Sequence, residues 1–93
     1  MSVRAIRGAT VTNENTSASI LSDTSELLER MLAENDVQDD DLISIFFSLT
    51  DDLDAVFPAV SARRLGLMDV PLLCLNEIPV PGSLERCIRV LIH

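Results

Sequence analysis

The sequence lacks tryptophan, tyrosine and lysine altogether, and it contains a single histidine, His93. Without Trp or Tyr, an aromatic platform that stacks nucleic-acid bases is nearly excluded. All seven basic residues are arginine, set against 15 acidic residues, which gives a net charge of −8. Nucleic acid and anionic membranes are therefore poor partners. A small anion remains a reasonable ligand wherever a few arginines converge.

Residues suited to metal binding or nucleophilic catalysis are equally scarce. The two cysteines, Cys74 and Cys87, have a spacing that matches no zinc-binding pattern. One histidine at the end of the sequence is a poor base for a Ser–His or Cys–His arrangement. Three glycines leave little room for a nucleotide-binding loop. We therefore expect no metal site. Because two cysteines do not make a disulfide framework, we also expect a reduced cytoplasmic setting.

The length of 93 residues and the hydrophobic content of 47% indicate one folded domain over residues 1–93. No apolar run approaches the roughly 20 residues of a membrane-spanning helix. The first residues lack the apolar core of a signal peptide.

Two helices are predicted. Ile20, Leu27 and Met31 recur with helical spacing within residues 17–35, and Thr16 or Ser17 is a suitable N-cap. A second, short helix extends from Pro58, a residue typical of a first helical turn, to Leu65. Gly66 suits its end.

Four apolar segments predict strands, and they give the element order βαβαββ, an α/β (α+β) domain with a mixed sheet. In the first strand, Val3, Ala5, Ala9 and Val11 share one face, which we expect to be buried. The second strand is apolar on both faces, so both should be covered. The strands span residues 3–11, 42–50, 70–75 and 87–92.

Arginines inside two of these strands are unusual. Arg7 shares the predicted buried face of the first strand, and Arg89 interrupts the apolar fourth strand. A buried guanidinium without a partner is very costly and cannot lose its proton. Each arginine must therefore face a carboxylate, a water-filled cleft or a bound anion. A structural ion pair or an outward edge position is the simpler explanation, and the strand pattern alone favours it.

Glu77 follows an apolar strand on a loop that contains prolines, and strand ends in α/β folds are favoured positions for ligand-binding groups. An ordinary exposed loop acid is the alternative. Cys74, inside that strand, is typical of a small core residue. Two strand arginines and one acid, with no base or metal, suit the binding of a small dianion. They also suit a unimolecular rearrangement in which positioning and electrostatics supply most of the effect.

Five segments stand in one order along the chain, with the sequences VRAIRGAT, LDAVFPA, VPLLC, EIPVPGSL and CIRVL. Together they closely resemble the monofunctional chorismate mutases of the trimeric, pseudo-α/β-barrel type. The resemblance implies two helices packed on one face of the sheet and a homotrimer with active sites between neighbouring subunits. It also implies conversion of chorismate to prephenate, a cofactor-free Claisen rearrangement in aromatic amino-acid biosynthesis.

The resemblance also implies roles for individual residues. Arg89 corresponds to the arginine that meets the breaking ether oxygen and a substrate carboxylate. Arg7 corresponds to an arginine that holds substrate oxygens across the interface, and Glu77 to the acid that binds the ring hydroxyl. The wall that contacts the substrate ring corresponds to Leu73, Cys74, Leu75 and Asn76. The mouth of the cleft corresponds to Phe57 and Arg63.

The family continues past the strand that carries Arg89, into a further strand with a tyrosine that contacts substrate, and a tail. This sequence has no tyrosine and stops four residues after Arg89. We therefore expect a domain over residues 1–93 that lacks that strand and tail and leaves an open sheet edge. Two alternatives to the enzyme stay open: a non-catalytic trimeric module that binds a small acid, and an interaction protein whose strand arginines form ion pairs.

Overall fold

The structure is a computed structural model that describes residues 2–93. The elements follow the predicted order βαβαββ, with a short 3-10 helix inserted before the second strand. The strands are β1 (Ile6–Val11), β2 (Ile45–Leu49), β3 (Leu72–Asn76) and β4 (Cys87–Ile92), the helices are α1 (Ser17–Glu34) and α2 (Ala59–Arg64), and the 3-10 helix is Asp39–Asp41.

The four strands form one mixed sheet in the order β1-β4-β2-β3. β4 runs antiparallel to both β1 and β2, whereas β2 and β3 are parallel. The parallel pair needs a crossover connection, and α2 lies in it. The prediction of a mixed sheet with two helices is confirmed.

The helix boundaries follow local chemistry. The Thr16 side chain accepts a hydrogen bond from the backbone N–H of Ser19 at 3.1 Å and caps α1 as predicted. α2 begins after Pro58 and ends just before Gly66, which has a φ of 90°. A left-handed backbone of this kind is where glycine avoids strain, so the helix stops there.

The hydrophobic core lies between one face of the sheet and the helices. Ile45 and Phe47 of β2 are fully buried, and Val90 of β4 nearly so. They pack in one cluster with Leu28 and Met31 of α1. Each such side chain contributes about 1.5–3 kcal/mol through burial, which holds α1 on this face.

The expectation for the faces of β1 is wrong. Ile6, Gly8 and Thr10 are the half-buried residues of this strand, whereas Arg7, Ala9 and Val11 are exposed. The strand also begins at Ile6, not at residue 3. The prediction failed because Ala9 and Val11, which are apolar, lie on the outward face. The inward face carries Gly8, which has no side chain and was not counted as apolar.

Gly8 lies where α1 approaches β1 closely. A Cβ atom at this position would lie 2.7 Å from Met31 Sδ and 3.1 Å from Leu27 Cδ1. These distances are inside van der Waals contact, so an added methyl group would force these two side chains to shift.

Residues 2–93 cover the second face of the sheet only in part, contrary to the expectation for β2. Phe46 and Ser48 of β2 are half-buried, and Leu73 and Leu75 of β3 are exposed. We call this surface the open face. It keeps apolar side chains in contact with water, which is typical of a binding surface.

No helix within residues 2–93 is long and apolar enough to cross a membrane. Both cysteines are free, with Cys87 buried and Cys74 half-buried.

Substitution Gly8→Ala is expected to lower the free energy of unfolding by about 1–3 kcal/mol, because the new methyl group overpacks the contact with Met31. Chemical denaturation measures this. In a Met31→Ala background the same substitution should cost less, since the methyl group then enters vacated space. Equal costs in the two backgrounds would contradict the contact.

Candidate active site on the open face of the sheet

The open face forms the floor of a cleft of about 810 Å³. All four strands contribute to it, and Ile78 lies at its margin. A cavity of this size is in the range that accepts a small organic ligand. The floor is largely apolar, so the few charged side chains on it determine what the cleft can bind.

Arg89 occupies the centre of this floor. On β4 it lies opposite Ala9 of β1 on one side and Ser48 of β2 on the other. Its side chain is 58% exposed, so the guanidinium faces solvent and is not buried. Two of the environments considered for a strand arginine are observed together: a cleft that is open to solvent, and a carboxylate close enough for an ion pair.

Glu77 brings a carboxylate to the same place. Its backbone N–H donates to the carbonyl of Leu49 at 2.8 Å, so the ladder between β2 and β3 continues to this residue. Its carboxylate accepts a hydrogen bond from Ser48 Oγ through Oε1. The same oxygen lies 3.5 Å from Arg89 Nε, a one-point ion pair rather than a bidentate one.

Arg7 lines the same cleft from β1. Because Ala9 pairs with Arg89 and Arg7 pairs with Leu91, the two arginines are diagonal neighbours, at about 7–8 Å between their backbones. None of the three ion pairs found within residues 2–93 includes Arg7. The cleft therefore presents two cations and one carboxylate in a protein whose net charge is strongly negative.

Five of the nine predicted site residues line this cleft. They come from three of the strands and from the loop after β3, and they are Arg7, Leu75, Asn76, Glu77 and Arg89. Backbone spacing alone brings them together, because each lies on or directly after a strand of the open face.

The other four predicted residues lie outside the cleft of a single chain. Leu73 is exposed on the open face, whereas Cys74 points to the helices and packs against the core. Phe57, which is 72% exposed, precedes α2. Arg63 donates to the carbonyls of Leu67 at 2.6 Å and Val70 at 3.1 Å, and so holds the segment that follows α2. Their roles in binding stay predictions.

Sequence reasoning missed Ser48, which lines the cleft and donates to Glu77. The available signal was a small polar residue within an otherwise apolar strand, since Phe46, Phe47 and Leu49 surround it. Phe46 and Leu91, which complete the floor, were likewise counted only as apolar strand residues.

Asp52 stabilises the turn that precedes β4. Its carboxylate accepts hydrogen bonds from Thr50 Oγ1 at 2.5 Å and from the backbone N–H of Arg86 at 2.9 Å. These two donors lower the pKa of Asp52 below its ordinary value, Thr50 having the larger effect. Arg86 has a φ of 47°, an uncommon conformation for a side chain of this size, so the contact fixes a strained turn three residues before Arg89.

Within residues 2–93, no three His, Cys, Asp or Glu side chains are close enough together to hold a metal ion. What the cleft does offer is a pair of guanidinium groups, a carboxylate and a hydroxyl above an apolar floor. This set can orient a small dianion and can stabilise negative charge that develops within it.

Comparison with known proteins extends this description. The family described as chorismate mutase type I matches residues 3–93. This chain belongs to the chorismate mutase type I family. The resemblance carried by the five sequence segments is thereby confirmed, and the family's chemistry is that of an isomerase.

Two curated relatives are similar over nearly the whole chain. Chorismate mutase AroH of Thermus thermophilus is 49% identical over 90 residues, which is 96% of this chain and 74% of the relative. Chorismate mutase AroH of Bacillus subtilis (strain 168) is 44% identical over 92 residues, 98% of this chain and 72% of the relative. A solved chorismate mutase from Clostridium thermocellum superposes with a TM-score of 0.96 at 53% identity, covering 98% of this chain and 81% of that one.

Substitution Asp52→Ala should lower the melting temperature by a few degrees at pH 7, because the turn before β4 loses its acceptor. Because the pKa of Asp52 is lower in the folded protein than in the unfolded chain, its ionised carboxylate stabilises the fold at pH values above the unfolded-state pKa of about 3.9. This stabilisation is lost as the pH falls through the folded-state pKa. The difference from the wild type should therefore shrink below about pH 4. Asp51→Ala, an exposed neighbour with the same charge change, is the control; a difference that persists at low pH would contradict the assignment.

Proposed function

We propose that this chain converts chorismate to prephenate in the cleft of the open face, without a cofactor, as a step of aromatic amino-acid biosynthesis. The observation that carries the proposal is Arg89, a cation at the centre of an apolar floor; within residues 2–93 its one ion pair is the 3.5 Å contact with Glu77. Membership of the chorismate mutase type I family supplies the reaction. We expect the reaction to take place in the cytoplasm.

The rearrangement needs little from the protein beyond shape and charge. One carbon–oxygen bond breaks and one carbon–carbon bond forms within the same molecule, so no atom enters or leaves. Cleavage runs ahead of bond formation, and negative charge therefore grows on the ether oxygen. A fixed cation beside that oxygen lowers the energy of the transition state more than that of the bound substrate. We assign this role to Arg89.

Arg7 and Glu77 would position the substrate around that centre. Arg7, one diagonal step from Arg89, is placed to hold a substrate carboxylate. Glu77 is placed to accept a hydrogen bond from the ring hydroxyl through the carboxylate oxygen that does not contact Ser48. An anionic substrate displaces the one-point contact between Glu77 and Arg89 at small cost, since a partly exposed pair of this kind contributes little.

We further propose that the active form is a homotrimer in which two neighbouring subunits complete each cleft. The open face supports this, because Val11, Leu73 and Leu75 are each 49% exposed and gain from burial against another copy. Phe57 would then come from the adjacent subunit, which accounts for its exposed position away from the cleft of its own chain.

Substitution Arg89→Ala should lower kcat by about 100- to 1,000-fold, the usual cost of removing one donor to a developing oxyanion. Loss of chorismate absorbance measures the rate. Arg30→Ala is the matched control, because Arg30 is an exposed arginine paired with Glu34 on the outer surface of α1, and its rate should equal that of the wild type. A wild-type protein that is folded but does not convert chorismate would overturn the proposal.

Sharing of sites between subunits predicts complementation. Arg89→Ala and Phe57→Ala chains, each of low activity alone, should recover activity when they are unfolded together and refolded as mixed trimers. In a random mixture about one site in four receives both intact residues. Activity equal to the average of the two separate variants would argue against shared sites, and a monomer in light scattering would exclude the trimer.

A further inference from the structure

We propose that Ser48 is a positioning residue of this site: its hydroxyl holds the Glu77 carboxylate so that Glu77 does not close a bidentate ion pair with Arg89. The proposal rests on the function proposed above and concerns how the charge of Arg89 is kept available to the substrate.

The sheet register places Ser48 between the two charged groups. On β2 it lies opposite Arg89 of β4 on one side and Leu75 of β3 on the other. Glu77 follows Leu75 by two residues, so its side chain shares the open face and lies diagonally from Ser48. A small side chain at this position is close enough to reach the carboxylate without covering the guanidinium.

The contacts show a competition for one oxygen atom. Ser48 Oγ donates to Glu77 Oε1, and Arg89 Nε lies 3.5 Å from that same atom. A carboxylate that faces a guanidinium with no competing donor tends to make two parallel hydrogen bonds at about 2.7–2.9 Å. The observed arrangement is a longer, single contact, as expected when the carboxylate is held by a second donor.

The arrangement has a functional consequence. A bidentate pair would neutralise Arg89 and fix its guanidinium in the plane of the carboxylate, and the substrate would have to break that pair before it bound. With Glu77 held by Ser48, the remaining N–H groups of Arg89 stay available for the ether oxygen. The expected effect of losing Ser48 is therefore on the charge-stabilising step, and so on kcat.

Substitution Ser48→Ala tests this by steady-state kinetics with chorismate. We expect kcat/KM to fall about 10- to 100-fold, the equivalent of one hydrogen bond to a charged group, with most of the loss in kcat. Ser48→Thr, which keeps the hydroxyl, should recover most of the rate. The matched control is Ser44→Ala. Ser44 directly precedes β2, and its hydroxyl forms a hydrogen bond with His93 Nδ1 at 3.1 Å instead of with Glu77. The rate of this variant should stay within about twofold of the wild type.

A crystal structure of the Ser48→Ala protein supplies the second readout. Both Glu77 carboxylate oxygens should lie within about 3 Å of Arg89 nitrogens. An unmoved Glu77, an unchanged kcat/KM, or a loss that Ser48→Thr does not reduce would each overturn the inference. A wild-type protein without turnover would instead overturn the proposed function, so the two failures are distinguishable.

Discussion

The catalysis that we propose depends on a guanidinium whose charge is only partly satisfied by a neighbouring carboxylate. Arg89 stands on the central strand of the floor, hydrated, with one long contact to Glu77. A protein of net charge −8 has many carboxylates that could have neutralised it. Among the residues that the structure describes, Glu77 alone forms an ion pair with it, because the strands of the open face carry mostly apolar or small residues around this position.

That arrangement follows from one-sided packing of the sheet. Both helices lie on one face, and the absence of a Cβ at Gly8 lets α1 approach β1 closely enough to complete the core there. The apolar residues of the other face are then covered only in part by residues 2–93: Phe46 is half-buried and Leu75 is exposed. Packing both helices on one face thus produces a core on that side and leaves on the other an exposed apolar surface of the kind that binding sites use.

The sequence predicted the elements and their order, because the α1 stripe, the Thr16 cap and the Gly66 stop are local signals. The strand pattern singled out Arg7, Glu77 and Arg89, and the family resemblance added Leu75 and Asn76, but four other residues that it suggested lie outside the cleft. The faces of β1 were predicted wrongly because both faces carry small residues. The alternation of apolar residues then does not show which face packs against α1. Ser48 and Glu77 are 29 positions apart in the sequence, and their contact depends on how β2 and β3 are aligned. The sequence alone does not give that alignment.

The choice of arginine for both cations has a consequence for how this site can be controlled. A guanidinium stays protonated at any pH at which a protein remains folded, so the cleft keeps its positive charge under alkaline conditions that would discharge an ammonium group. Acetylation removes the positive charge of lysine side chains, but this sequence contains no lysine. The positive charge of this cleft is therefore insensitive to two changes, proton loss and acyl transfer, that would remove the charge of a lysine.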